Sequence, residues 1–317
     1  MSGSHFTEPT AAGPAIAEPA VAEPVTVVII HRNRAEQVGL TVEAFRSQTA
    51  PTRVIVVDNG SEASTVDALA DLVGGAELIL NGENLGFGPG ANIGMRRFLR
   101  DGAGEWVALA PHDAVPRPDT IEKMLSAVSD KPLVGLMSAD VGDDARPVIQ
   151  PFLGSIDAEP TVAEGFDRSD YPHGTLMMCR RRFLLEVGLF DERYFAYCEE
   201  AELGIRAAEA GWLCGVVRGA EVRNPGMGSS VERVAYLQLR NTLLMLREHY
   251  GLRNSLFRIL VALVQIPMGL VYAPARGLHW SVRGRLLAIR DHLRGRYGPP
   301  PPQVDATEHP HGRTQAI

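Results

Sequence analysis

The chain has 317 residues, 45% hydrophobic and 22% charged, with a net charge of −7. These values describe one large globular α/β unit with additions, or two units. The acidic balance excludes a whole-protein nucleic-acid footprint, which needs a basic face; three scattered cysteines with no C-x-x-C pair argue against a disulfide framework or zinc site and fit a reducing cytosol.

Residues 1–24 are rich in Ala, Pro and Glu, with neither a basic start nor an apolar stretch, and are expected to be a disordered lead-in, not a signal peptide. "VTVVIIHRNR" opens on a β-branched run, the mark of a strand buried on both faces. "AEQVGLTVEAFRSQT" follows with helical spacing, Val38, Val42 and Phe45 sharing a face. "TRVIVVDNGS" is a second buried strand, "EASTVDALADLV" a helix and "AELIL" a short third strand. The glycine-rich "NGENLGFGPGANIG" leads into the helix "ANIGMRRFLRDG", and "EWVALAPHD" is a fourth strand. This alternation predicts a largely parallel sheet with right-handed crossovers. "LVGLMSADVG" reads as another strand, and the region up to Tyr171 as irregular. "TLMMCRRRFLLEVGLF" and "EAELGIRAAEAGW" restore strand and helices, and "AYLQLRNTLLMLREHYG" is a helix with a glycine stop.

Three strands end in polar side chains: His31-Arg32-Asn33, Asp58-Asn59 and His112-Asp113. In a parallel sheet these ends share the edge where ligands bind. Gly86-x-Gly88-x-x-Ala91 matches a dinucleotide fingerprint only formally, because it follows the third strand and no acidic residue closes a following strand. The functional reading is a loop whose amides approach a nucleotide, with Asn92 as a polar contact; the alternative is tight turns alone. Asp113 suits Mg²⁺ or Mn²⁺ when substrate phosphates and water supply the other ligands; the alternative is a turn-initiating Asp. Around Asp191, Glu192, Glu199, Glu200 and Glu202 acids crowd among aromatics. Glu199 and Glu202 share a helix face and Arg206 can pair with Glu202. One carboxylate aimed into the site would be a general base; otherwise the acids suit the helix dipole. His173-Gly174, before an apolar strand, could line an acceptor pocket or be structural. Ile259 to Ala275 is 17 uncharged residues interrupted by Gln265 and Pro267, so it reads as a buried helix pair or an interface-lying segment. Arginines from Arg253 to Arg296 outnumber the acids there, which suggests an anionic surface or a phosphate-bearing partner. His309 and His311 lie in a Pro-rich end expected to be disordered.

The ordered set "HRNR", "VVDNGS", "NLGFGPGAN", a strand ending in Asp before "VPRPD", "GTLMMCRR", "GLFDERYFAYCEEAEL" and "RAAEAGW" resembles glycosyltransferase family 2, the inverting GT-A enzymes. "YLQLRNTLLMLREHYG" and "RGLHWSVRGRLLAIRDHLRGRYG" resemble the helical tail of its rhamnosyltransferase-like branch. The likeness runs from Val25 to Gly298. It implies an α/β GT-A fold, a Rossmann-like mostly parallel sheet flanked by helices, with a C-terminal helical extension. The expected organisation is a catalytic domain over 25–235, a basic helical tail over 236–298 and a disordered Pro-rich end over 299–317.

The resemblance also implies roles. Donor-binding residues are His31, Arg32, Asp58, Asn59, Gly86, Gly88, Asn92 and His112; acceptor-binding residues are His173 and Gly174. Asp113 is the metal-binding acid for Mg²⁺ or Mn²⁺. Glu200 is the catalytic base, where the family usually carries the Asp of Glu-Asp-x-Asp, and Glu199, Glu202 and Asp191 are supporting acids. The implied partners are a dTDP- or UDP-sugar donor, the sugar suggested by the tail being rhamnose, and a glycan or polyprenyl-diphosphate-linked acceptor. The implied setting is the cytoplasm, at the inner face of the cell membrane, with peripheral contact through the tail. The sequence departs from the family at His112, at Glu-Glu-Ala-Glu, and at "NPGMGSS", which lacks the histidine often found there. Two rivals stay open: a non-catalytic sugar-nucleotide or glycan-binding protein, and a nucleotidyltransferase, against which "HRNRAEQ" after strand one argues.

Overall fold

The computed structural model describes residues 23–224, 229–276 and 279–305. Its strands are β1 Val25–His31, β2 Thr52–Asp58, β3 Glu77–Leu80, β4 Trp106–Pro111, β5 Val115–Pro116, β6 Val134–Asp140, β7 Arg146–Gln150, β8 Gly154–Ala158, β9 Gly165–Ser169, β10 Met177–Arg180 and β11 Leu213–Arg223. Its helices are α1 Ala35–Arg46, α2 Ala63–Leu72, α3 Phe87–Asp101, α4 Thr120–Ala127, α5 Arg181–Val187, α6 Glu199–Glu209, α7 Val231–Tyr250, α8 Leu252–Val271, α9 Val282–Leu293 and α10 Pro302–Asp305.

The main sheet runs β3-β2-β1-β4-β10-β6-β11-β5, with β9 also on β11. β3, β2, β1 and β4 are parallel neighbours, and β6 is parallel to β11. β10 lies antiparallel to both β4 and β6. Every residue of β1 is buried. Val27 and Ile29 join the core that includes Val38, Val42 and Phe45 of α1, while Val28 and Ile30 join the one that includes Met95 and Phe98 of α3. This alternation is the pleat's period of two, and it explains why a strand covered on both faces reads as an unbroken apolar run. Burying each such side chain is worth about 1.5–3 kcal/mol.

Several expectations need correction. The region between β6 and Tyr171 is ordered as a β7–β8 hairpin and β9, which pairs with β11. The helix after the glycines begins at Phe87, so Gly88, Pro89 and Gly90 are its first turn. The boundary expected at 235/236 falls inside α7, which Ser230 caps by accepting a hydrogen bond from the Arg233 amide. Pro267 does not interrupt α8: it lies inside a helix of 20 residues, removing one backbone donor without ending it. In the Pro-rich end, residues 299–305 are described and Val304 is buried in the core of α7–α9. His309 and His311, and almost all of the N-terminal lead-in, lie outside the described residues.

Candidate active site

Parallel register brings the polar strand ends together: His31 pairs with Asp58 across β1 and β2, and Ile30 with Pro111 across β1 and β4. His31 and Asp58 are 1% and 2% exposed, with His31 Nε2 3.8 Å from Asp58 Oδ1. The other Asp58 oxygen accepts from the Ser61 amide at 3.1 Å. Among the described residues, Asp58 Oδ1 and both His31 nitrogens have no hydrogen-bond partner. Leaving buried polar atoms unpaired costs about 1–3 kcal/mol each, so this corner is poised to gain from a polar ligand. Burial and the neighbouring His112 hold the His31 imidazole down at about 4, against the pull of Asp58. Arg32 follows, half-buried at the same edge.

His112 and Asp113 leave the end of β4. The His112 ring packs edge-on against His31, centroids 5.9 Å apart, and its backbone carbonyl accepts from Thr41 Oγ1 at 2.5 Å. Burial lowers the His112 pKa and raises that of Asp113; Arg34 adds positive charge beside both. Nothing in the sequence around Asp113 points to Arg34, which reaches it from the turn after β1. Among the described residues no three His, Cys, Asp or Glu side chains form a group able to hold a metal ion. The donor chemistry at Asp113, one hard carboxylate, therefore fits a divalent ion only if substrate phosphates and water complete its shell.

The glycines and asparagines have other work. Asn59 is 4% exposed; its Nδ2 donates to the Gly86 carbonyl at 2.7 Å, and its Oδ1 accepts from Leu85 N and Asn81 Nδ2. Asn92 is fully buried: its amide accepts from Phe190 N at 3.1 Å and donates to Phe190 O and Glu192 Oε1. Both side chains, expected to contact the donor, are spent on holding the loop 81–86 and on tying α3 to residues 190–192. Gly86 has φ 93°, and a Cβ there would collide with the Phe195 carbonyl. A Cβ at Gly88 would touch Glu199 Cγ at 3.4 Å. The open glycine loop expected to wrap the nucleotide is thus a packed turn against the acidic segment.

That segment enters α6 with Glu199 4% exposed and Glu200 half-buried. Glu199 Oε2 and Glu200 Oε2 are buried without hydrogen-bond partners among the described residues. Burial pushes the Glu200 carboxyl up to about 7; burial and the adjacent Glu200 hold Glu199 well above the ordinary carboxylate range. A Cβ at Gly174 would stand 3.8 Å from Glu200 Oε1. Since β10 is reversed, the residues before it arrive at the edge where β4 and β6 end: His173 N donates to Ser138 Oγ of β6 at 2.9 Å. Glu200, Gly174, His173 and Asp113 therefore share that edge. Sequence reasoning missed Tyr171, whose ring hydroxyl bonds Ser155 and whose pKa burial and Glu200 raise.

Glu202 and Asp191 do not join Glu200. Glu202 makes a two-pronged pair with Arg206, 2.7 and 2.8 Å, as its spacing predicts, and lies 3.4 Å from His249. Asp191 accepts from the Arg193 amide and pairs with its guanidinium at 2.6 Å. Both line a separate cleft of about 430 Å³ with Leu189, Glu248 and His249. Residues 225–228, within the segment lacking the family's histidine, lie outside the described residues.

Solved structures share this architecture. A mannosyltransferase from Pyrobaculum calidifontis, solved with GDP-Man and Mn²⁺, superposes with a TM-score of 0.58 at 17% identity, over 88% of this chain and 91% of that one. GalNAc-T7, solved with UDP, GalNAc and Mn²⁺, gives 0.57 at 16% identity over 72% of this chain, which spans 48% of that longer chain. The fold is GT-A, and the protein is a glycosyltransferase. Within that class, the profile of the family described as "Glycosyl transferase family 2" matches residues 26–188. Over 273 residues the chain is 31% identical to the N-acetylglucosaminyl-diphospho-decaprenol L-rhamnosyltransferase of two Mycobacterium tuberculosis strains, CDC 1551 / Oshkosh and ATCC 25618 / H37Rv, covering 77% of this chain and 83% of theirs. The chain belongs to glycosyl transferase family 2, and the nucleotidyltransferase reading falls.

Proposed function

We propose that this enzyme transfers rhamnose, by a single inverting displacement, from dTDP-rhamnose to an N-acetylglucosaminyl-diphospho-prenol at the cytoplasmic face of a membrane. The mycobacterial relatives' activity supports the sugar and the acceptor; UDP in place of dTDP is the alternative donor nucleotide. The observation that carries the catalytic reading is Glu200: a carboxyl raised to about 7, one oxygen beside Gly174 and the other buried and unpaired among the described residues. A general base works best with a pKa near the working pH and contributes about 10²–10⁴-fold. Glu200 takes the proton from the acceptor hydroxyl as that oxygen attacks the anomeric carbon. Asp58 and His31 hold the nucleotide through their unpaired polar atoms, while His173 and Gly174 border the acceptor. Asp113 would hold Mn²⁺ or Mg²⁺, whose charge offsets that developing on the diphosphate leaving group.

Glu200→Gln is expected to lower kcat by about 10²-fold or more with donor affinity nearly unchanged. Wild-type turnover in that variant would remove Glu200 from the role, and a wild-type chain releasing no nucleoside diphosphate would favour the non-catalytic binder. Asp113→Ala is expected to weaken Mn²⁺-dependent donor binding at least tenfold by isothermal titration, by roughly 1.4 kcal/mol or more; unchanged affinity would remove the metal role.

The acceptor's lipid also gives α8 a purpose. It is long and apolar enough to cross a membrane by length and composition, and only 28% of its most apolar stretch is buried in the fold. Leu256, Leu260, Leu263, Val264 and Met268 are each 45–57% exposed. Ile259, Ala262 and Ile266 pack inward, so the helix suits lying along a leaflet with one face in the protein. Of the arginines read as an anionic-surface signal, Arg258, Arg276 and Arg285 donate to Leu153 O, Gly269 O and Gln265 Oε1, and Arg290 pairs with Asp291. Arg253, Arg294 and Arg296 are exposed and open to lipid phosphates.

A further inference from the structure

The acidic motif is reached through an unusual backbone. Phe195, Tyr197 and Cys198 have φ of 64°, 68° and 70°, and none is glycine. Side chains disfavour this left-handed region, and three such residues within four persist only where surrounding structure holds them. Cys198 is the residue from which α6 starts, so this path sets where Glu199 and Glu200 point.

What holds it comes from α7. Asn241, fully buried, donates its Nδ2 to the carbonyls of Tyr194, Ala196 and Tyr197 at 2.8, 2.8 and 2.7 Å. Its Oδ1 accepts from Arg240 Nε and Nη2 at 3.1 and 3.0 Å. That second contact fixes which way the amide faces, because a flipped amide would set NH₂ against a guanidinium and an oxygen against three carbonyls. Arg240, 1% exposed, also donates to Tyr236 Oη at 3.3 Å, and Tyr236 donates to Asp291 of α9 at 3.0 Å. The remaining carbonyl of the loop, Phe195 O, accepts from Gly88 N at 3.2 Å. Four successive carbonyls are thus pinned, three of them by one side chain.

We propose that Asn241, oriented by Arg240, is a positioning residue for the transfer reaction: it locks residues 194–198 in the left-handed path that aims Glu200. The inference rests on the reading of Glu200 as the base. Asn241 lies on a helix the sequence assigns to a membrane-associated tail, beyond the matched residues 26–188, so the tail completes the catalytic apparatus.

The test is a double-mutant cycle in the full chain, following dTDP release from dTDP-rhamnose with a short-chain N-acetylglucosaminyl-diphospho-prenol. Asn241→Leu removes the donors at similar size. It is expected to lower kcat by about 10²-fold, the penalty of a misplaced reacting group, with donor KM changed less than threefold. Its acid limb in the kcat–pH profile should also move by half a unit or more, which a mere loss of folded enzyme would not do. Added to Glu200→Gln, it should cost nothing further. Should the Asn241→Leu chain fail to fold, Asn241→Asp keeps the shape and the Arg240 contact, loses the donors, and is read by the same measures. An inactive Glu200→Gln with an additive or harmless change at Asn241 overturns the positioning role alone. A fully active Glu200→Gln overturns the base, and the inference with it.

Discussion

Glu200 is surrounded by groups that favour its neutral form. Glu199 precedes it in α6, Cys198 and Tyr197 lead into the helix, and Tyr171 faces it from the segment before β10; the charged forms of Tyr171, Cys198 and Tyr197 are all disfavoured by its negative charge. A base must be unprotonated to work, and burial raises this one to about 7. Turnover is therefore expected to rise with pH, roughly tenfold per unit below pH 7 and level above it. A kcat profile already flat at pH 5 would mean that another group takes the proton. Among individual residues, those whose chemistry shows at a strand end were legible: His31, Asp58, His112 and Asp113 do gather at one edge. Asn59 and Asn92 were not, because an amide that faces a ligand and one that faces a carbonyl 98 positions away look alike in a sequence. Asn241 and Arg240 were hidden for the same reason, inside a helix whose apolar stripe reads simply as packing.

At the scale of elements, α3 shows how a rule of local propensity reverses. Glycine in a helix normally costs about 0.8–1.0 kcal/mol relative to alanine. At Gly94 a Cβ would overlap the Val28 side chain of β1, and overpacking costs about 1–3 kcal/mol. The second effect wins, so Gly94→Ala is expected to destabilise by about 1–2 kcal/mol in urea unfolding, where an exposed helical glycine would gain. A stabilised variant would mean that α3 lies farther from β1. The strands and helices up to β4 were legible because buried runs and helical spacing alternate cleanly. The reversal of β10 was not, since an apolar run of four looks the same in either direction; only pairing with β4 and β6 fixes it. The β7–β8 hairpin was lost for a different reason: β8 is mostly exposed and carries no alternation to read.

For the whole molecule, the open question of attachment becomes a surface question. Full-length protein is expected to float with phosphatidylglycerol-rich vesicles, less so at high salt, and a Leu256→Glu, Leu260→Glu, Leu263→Glu variant to stay behind with the bulk solution. Equal flotation of both would remove α8 as the contact. The apolar length of this segment was plain in the sequence; which side of it faces outward was not, because both sides are apolar and only the packing of α7 and α9 chooses. The sequence also suggested a catalytic head and a detachable tail, and α7 denies that division: one unbroken helix begins beside the sheet, braces the loop before α6 and carries the residues against which α8 lies. Lipid affinity and chemistry thus depend on different sides of one assembly. The enzyme can be freed from its bilayer by exchanging outward-facing leucines, whereas shortening the chain to the same end would take its activity away.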